Sequence, residues 1–375
     1  MKRDTVKRDR AGALAACAAV LGALALAGAA GADDGFAWRL PQGVAPPPTP
    51  VDNPMSQAKV ELGRRLFYDA DLSIDGTVAC GTCHEQHRAF TEGNATHPGV
   101  HETPGKRNVM GLANVAYFYP LTWADRRRDQ LETQALVPLN GKDPVEMGMD
   151  GHADIMVDRL KGDDCYRQMF AAAFPNDKGE ISLRNVTRAL ASFERTLLSF
   201  NAPYDLKQRG DLNALTASAK RGEALFFGAQ FHCNACHSGP NFTDATKDLA
   251  LPQGAFHNIG LYNLDSKGAY PATDHGLRDA TFLPEDEGKV RTPSLRNVAL
   301  TGPYMHDGSV PDLGLAVLRH YGPGPNPLRD KLLDGPAPDA LQTQDILAFL
   351  YALTDTGFTS DPRFSQPKAA CGKPL

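Results

Sequence analysis

Apolar residues recur at helical spacing in four places along this chain. Val60, Leu62, Leu66 and Phe67 mark the first, over about 59–67. Val186, Leu190, Phe193 and Leu197 predict a second helix over about 182–198. The third repeats the first: AKRGEALFFG at 219–228 echoes KVELGRRLFYD at 59–69. The echo aligns Gly63 with Gly222, Leu66 with Leu225 and Phe67 with Phe226. Ile346, Phe349, Leu350 and Leu353 predict the fourth helix, over about 341–354. The stretches between are long and aperiodic, and hold most of the 35 Gly and 28 Pro. Sustained strand-type alternation is scarce. The pattern predicts a mainly α fold built from a duplicated unit, with its boundary near 201–214. Residues 41–54 are Pro-rich and read as an extended arm.

The first residues follow a different rule. Lys2, Arg3, Lys7, Arg8 and Arg10 precede an Ala/Leu/Gly run from Ala11 to about Ala30. Ala30-Gly31-Ala32 then fits a small-x-small cleavage site, so 1–32 reads as a secretory signal peptide. A membrane anchor is the alternative, since the run reaches roughly 20 residues, but its Ala and Gly make it weakly apolar. Leu14-Ala15-Ala16-Cys17 also resembles a lipobox, although only six residues separate Arg10 from Cys17. No later segment is long and apolar enough to span a bilayer. The chain of 375 residues carries 39 Lys+Arg and 44 Asp+Glu, net −5. Losing 1–32, net +3, leaves a mature protein at −8. Such an acidic protein has no nucleic-acid footprint, and its export points to the periplasm.

Seven cysteines sharpen the picture. Cys80-Gly-Thr-Cys83-His84 and Cys233-Asn-Ala-Cys236-His237 are two CxxCH motifs 153 residues apart. This is the attachment signature of c-type haem. One helical turn presents two thiols to the haem vinyls, and the adjacent His ligates the iron. Paired CxxC motifs also bind zinc, but usually within about 15–20 residues of each other and without the trailing His. Cys165 and Cys371 remain, either as a disulfide across the halves or as two separate thiols.

Two haems alone would make an electron carrier. An enzyme also needs an open haem face with an acid–base group above it. Residues 107–147 hold Trp123, one of two tryptophans, with Gln134 and Glu146. A carboxylate there could take a proton from bound peroxide and return it to the leaving oxygen. A carboxamide could orient the peroxide. The loop RTPSLRNVALTGPYMHDG at 291–308 suits haem propionates or a cation held by carbonyls. His320 and Tyr321 lie where either could reach the second haem.

Taken together, these motifs resemble the bacterial di-haem cytochrome c peroxidases and MauG-type enzymes, over about 55–355. The resemblance rests on the paired CxxCH, on RN…LAN…W…LE-Q-A-L-x-P…EM and on TPSLRN…L-T-x-P-Y-M-H-D-G. Residues 256–264 (FHNIGLYNL) and LTWA…PVEMG are similar to the MauG-like branch associated with methanobactin operons and copper-binding periplasmic partners. It implies two cytochrome c-type haem domains with long irregular loops. These are 55–205, holding the peroxidatic haem, and 206–360, holding the electron-transfer haem. A signal peptide (1–32) and an arm (33–54) precede them, and a tail (361–375) follows.

The resemblance also implies roles. Cys80, Cys83 and His84 hold haem 1, and Cys233, Cys236 and His237 hold haem 2. Trp123 matches the inter-haem electron relay, Gln134 and Glu146 the distal pair over haem 1. Asn108, with the carbonyls of Thr301 and Pro303, matches an inter-haem calcium site. Peroxidase members place a Met on haem 2, fourteen residues after the His of PY-x-H; MauG-type members place a Tyr. Here that position is His320, with Tyr321 next, and no Met follows Met305. The HY-G context favours Tyr321, with His320 the runner-up. Peroxidase members also carry a removable His on haem 1, sixteen residues after the proximal one. That position is Val100, flanked by His97 and His101, which implies an open haem 1; His87, His97 and His101 read as loop residues.

The implied function is a periplasmic oxidoreductase in which hydrogen peroxide raises both haem irons to a high-valent state. The oxidised target is a residue, a tryptophan by resemblance, of a copper-binding partner protein at long range. The alternative is a peroxidase reducing peroxide with electrons from a small cytochrome c or cupredoxin. A plain carrier with no substrate pocket is the third reading.

Overall fold

A computed structural model describes residues 36–246, 256–322 and 326–374. The signal-peptide segment 1–32, with Cys17, lies outside the described residues, and so do 323–325 beside Tyr321.

The molecule is mainly helical, and two helix pairs organise it. Helix Gln57–Phe67 starts at Ser56, whose hydroxyl accepts from the Lys59 N–H at 3.2 Å. That cap satisfies a backbone donor the first turn leaves orphaned. Its apolar stripe packs on helix Leu183–Glu194, capped in the same way by Ser182. Helix Ala217–Phe227, capped by Thr216, packs on helix Ala340–Tyr351, whose Asp339 and Gln342 form a capping box.

The aligned glycines explain both crossings. A Cβ on Gly63 would sit 1.9 Å from the Ala189 carbonyl oxygen; one on Gly222 would sit 1.8 Å from that of Asp345. Only a residue without a side chain lets the backbones meet this closely. Phe67 and Phe193 then meet edge to face at 5.2 Å, and Phe226 and Phe349 meet tilted at 5.1 Å. Asn114 and Asn297 add a second matched device. Both take left-handed backbone, φ 61° and 60°, and each lends its side-chain oxygen to a chain crossing over it. The Ser199 N–H donates to Asn114 at 2.7 Å, and the Asp355 N–H to Asn297 at 2.8 Å.

The predicted closing helices stop early, at Glu194 rather than 198 and at Tyr351 rather than 354. The Leu197 and Leu353 carbonyls instead accept the Asn114 and Asn297 N–H groups. Two helices not expected from the sequence, Ala153–Gly162 and Asp164–Ala173, complete the first half, the second burying Tyr166, Phe170 and Ala173 on one face. Asp163 joins them, capping Cys165 N at 2.6 Å and pairing with Arg65.

Both chain ends described here lie on the first half. Phe36 and Trp38 pack against its core, and the buried Asn53 bonds Glu132 and the Arg188 carbonyl. The tail returns to the same core with Phe358 and Phe364, and Tyr68 donates to the Phe364 carbonyl. A Cys165–Cys371 disulfide, 206 residues apart in sequence, fastens it. The described strands are two-residue pieces, Phe256–His257 antiparallel to Val290–Arg291 and Ala369–Ala370 to Lys373–Pro374. No helix among the described residues is long and apolar enough to cross a membrane.

Candidate active site

Each CxxCH folds as one helical turn, Cys80–Cys83 and Cys233–Cys236, with the His at its C-terminal end. His84 N–H returns to the Cys80 carbonyl and His237 N–H to that of Cys233, both at 2.9 Å. The chain then doubles back through Phe90 (φ 64°) and Phe242 (φ 51°), turning each carbonyl toward the imidazole. His84 Nδ1 lies 2.7 Å from Phe90 O, and His237 Nδ1 3.2 Å from Phe242 O. A carbonyl can only accept, so Nδ1 carries the proton and Nε2 keeps its lone pair. That tautomer ligates a metal. Burial also keeps both rings neutral, pulling His84 below the usual histidine range and His237 down to about 4. All four motif sulfurs are free thiols, while the other described cysteines pair. The donor chemistry therefore fits two covalently attached haems.

An apolar cavity opens beside His237 between Phe226, Val317 and Leu350. His320 faces into it, its ring centroid 6.5 Å from that of His237, with Nδ1 2.8 Å from Ala316 O. The Tyr321 hydroxyl donates to the Phe231 carbonyl at 2.8 Å, and its ring stacks on Phe231. The same cavity runs on past Trp123 to Met110 and Thr91 of the first half. Trp123 is buried there and donates Nε1–H to the Asn108 carbonyl at 2.8 Å. Asn108, Thr301 and Pro303 line this connecting stretch together. The Asn108 amide nitrogen is taken up by the Asn94 and Ala95 carbonyls, at 3.1 Å each.

Around the first motif the environment differs. Gln134 ends the short helix Leu131–Gln134. Glu146 sits in a loop folded back on the helix Leu136–Asn140 that follows, with Met147 N–H on the Pro138 carbonyl and Val100 N–H on that of Glu146. Burial raises the Glu146 carboxyl above the ordinary range, against an opposing pull from His97. Its charge reaches both Cys80 and Cys83, which places it at the first motif. His87 and His101 are exposed beside Glu85 and Asp75, while His97 is half-buried, 3.9 Å from Glu92.

Several buried groups escaped the sequence reading. Glu194 stands in the first closing helix, one residue after the stacking Phe193, where the second half has Leu350. Burial pushes its carboxyl up to about 8, and its charge acts on Cys80. Arg291 is buried between the halves, on the Pro120 carbonyl and over the Phe118 ring. A repeated Phe-Thr-acid follows each motif, at Phe90–Glu92 and Phe242–Asp244, and would have flagged two buried carboxyls. Asp244 bonds His257, and with Cys236 they lie within 4.8 Å of one another. That trio could hold zinc only by taking the sulfur that the second CxxCH needs for haem.

Comparison with known proteins agrees with this geometry. Residues 57–213 match the family model of di-haem cytochrome c peroxidases. The methylamine utilization protein MauG of Methylorubrum extorquens is 38% identical over 288 residues, 76% of this chain and 73% of that one. The cytochrome-c peroxidase IdrP1 of Denitromonas iodatirespirans is 34% identical over 367 residues, covering 90% and 92%. The crystal structure of a MauG-like protein associated with microbial copper homeostasis superposes with a TM-score of 0.84. It is 42% identical and covers 88% of this chain and 99% of that one.

Proposed function

The chain belongs to the di-haem cytochrome c peroxidase family that includes MauG, and from that premise we propose that it oxidises a copper-binding partner protein at a distance in the periplasm. As a member it is a peroxide-using oxidoreductase with two c-type haems. When bound, the haems supply the redox-active iron that accepts and passes on oxidising equivalents. Each peroxide takes two electrons and two protons and leaves as two waters. In this reading a tryptophan of the partner gives up the electrons.

The protein's own residues divide the work. Glu146 takes the first proton from peroxide and returns it to the leaving oxygen. Its raised pKa supports this, because burial makes the carboxylate a stronger base than an exposed one and so a better acceptor of that proton. Gln134 orients the peroxide. Trp123 carries electrons between the halves, held by its bond to Asn108 in the connecting cavity. Asn108, with the Thr301 and Pro303 carbonyls, would hold a calcium ion, which would stiffen this junction. The observation that carries the reading is the asymmetry of the two motifs. The raised carboxyl of Glu146 attends the first; at the second the buried Asp244 is bonded to His257, and a buried tryptophan lies on the way to it. The copper association comes from the 42% identical MauG-like structure.

The test incubates holoenzyme, peroxide and a periplasmic copper-binding protein, then weighs the partner by mass spectrometry. The indole, having lost two electrons, adds a water and releases two protons, so one oxygen on a tryptophan peptide is expected, and Trp123→Phe should abolish it while leaving two haems per chain. An unmodified partner, together with rapid peroxide-driven oxidation of a reduced small cytochrome c, would establish the donor-fed peroxidase instead. The 34% identity to a cytochrome-c peroxidase is the support for that second reading.

A further inference from the structure

We propose that His320, and not Tyr321, is the second axial ligand of the haem held by Cys233, Cys236 and His237. The inference rests on the di-haem reading above and specifies what that site does with its iron.

Ring spacing is the first observation. An iron–nitrogen bond is roughly 2 Å, and a ring centre lies about 1 Å beyond its nitrogen, so two imidazoles sharing one iron put their centroids about 6 Å apart. The His237 and His320 centroids are 6.5 Å apart.

The second observation is the matching hydrogen bonding. His320 Nδ1 faces the Ala316 carbonyl, as His237 Nδ1 faces that of Phe242. Both Nδ1 atoms therefore carry the proton, and both rings keep an Nε2 lone pair for a metal. Tyr321 has already committed its hydroxyl proton to Phe231 O. To ligate iron it would have to break that bond and swing away from the Phe231 ring.

Helix phase gives the third. The helix Leu313–Arg319 is started by Asp312, which accepts the Leu315 N–H. Leu313, Ala316, Val317 and His320 follow the i, i+3, i+4, i+7 spacing of one face, and that face lines the cavity. One residue further turns the side chain by about 100° around the axis. Tyr321 also lines the cavity, but beside Cys233, with its hydroxyl turned to the Phe231 carbonyl.

Two neutral imidazoles make this haem six-coordinate and close it to peroxide. All peroxide chemistry is then confined to the first motif. The ligand also differs from a phenolate by one unit of charge, so the second iron is held at a different potential from that of a Tyr-ligated relative.

The test reads ferric, haem-loaded, full-length protein by electron paramagnetic resonance and near-infrared magnetic circular dichroism, without peroxide or partner. Wild type should show one low-spin signal of the bis-imidazole type. His320→Gly should convert it to high spin, and free imidazole should restore it. Tyr321→Phe should leave it unchanged, with two haems per chain by the pyridine haemochrome assay. A low-spin signal that survives His320→Gly but disappears in Tyr321→Phe would overturn the assignment. If His320→Gly fails to load haem, His320→Met should load it and exchange the bis-imidazole band for a His/Met band. A spectrum unmoved by His320→Met would also overturn it. No partner oxidation enters these spectra, so failure of the proposed function would show separately, as an unmodified partner beside an intact bis-imidazole signal.

Discussion

The two halves hold their CxxCH turns with the same parts. A glycine lets two helices touch, a pair of phenylalanines fills the crossing, and a Phe carbonyl fixes the proximal histidine. They differ in what surrounds that shared frame. The first half brings the half-buried Glu146 and the buried Glu194, both with raised carboxyls, to its motif. The second brings His320, Leu350 at the position of Glu194, and Asp244, whose carboxyl is tied to His257. Duplication conserved the device that grips a haem and let the polar surroundings diverge. In the proposed function the half whose carboxyls are raised moves protons, and the half with a second imidazole transfers electrons.

Removing the acid should separate the halves most sharply. Glu146→Gln is expected to slow peroxide turnover by about 10²–10⁴-fold, measured by stopped flow, with haem content and the low-spin signal unchanged. A variant that turns over at the wild-type rate would remove the basis for assigning protons to the first half.

The disulfide is an asymmetry of another kind. Opening it by Cys165→Ser with Cys371→Ser should cost about 2–5 kcal/mol in denaturant unfolding, because it closes a long loop. Hydrogen exchange should accelerate around Phe358 and helix Asp164–Ala173 and hardly at all around Ala340–Tyr351.

The glycines test the sameness of the frame. Gly63→Ala and Gly222→Ala should each cost about 1–3 kcal/mol or more, since each forces a helix pair apart. Comparable losses from both sites in thermal melts would support equivalence. A near-neutral result at one would show that its crossing is looser than its partner's.

Glu194 gives the most gradual effect. Its carboxyl titrates near 8 when folded, against an ordinary value of 4.5. Between those limits the native state binds the extra proton, so stability falls as pH rises through the window, by about 1.4 kcal/mol per unit at most. Glu194→Leu, which copies the second half, should flatten this slope in melts taken from pH 5 to 8. An unchanged slope would move the cause to another buried acid, with Glu92 next in line.

Much of this was legible in the chain, because the strongest signals are local. The motif turns need only five consecutive residues, and the Gly63 and Gly222 segments repeat each other openly. The helices Ala153–Gly162 and Asp164–Ala173 were not legible; Asp163 and its partner Arg65 hold them, and that pairing is 98 residues long in sequence. The tail's place in the first core was hidden for the same reason, since Phe358 and Phe364 carry no sign of which half they join. The expectation for Tyr321 turned on helix phase. Counting from His306 reaches His320, and the proposal for His320 adds to that count the burial of Leu313 and Ala316 on the same helix face, which the sequence does not display.

The return of the tail sets an order of events. The first half is synthesised first, yet its core includes Phe358 and Phe364 and its tether ends at Cys371. It can close only after nearly the whole chain has emerged, a long-range closure of the kind that folds slowly. The second helix pair, whose partners both lie within 217–351, faces no such wait. The Cys80 turn therefore stays in an unfinished setting for longer than the Cys233 turn, giving whatever attaches haem more time at the motif that comes first.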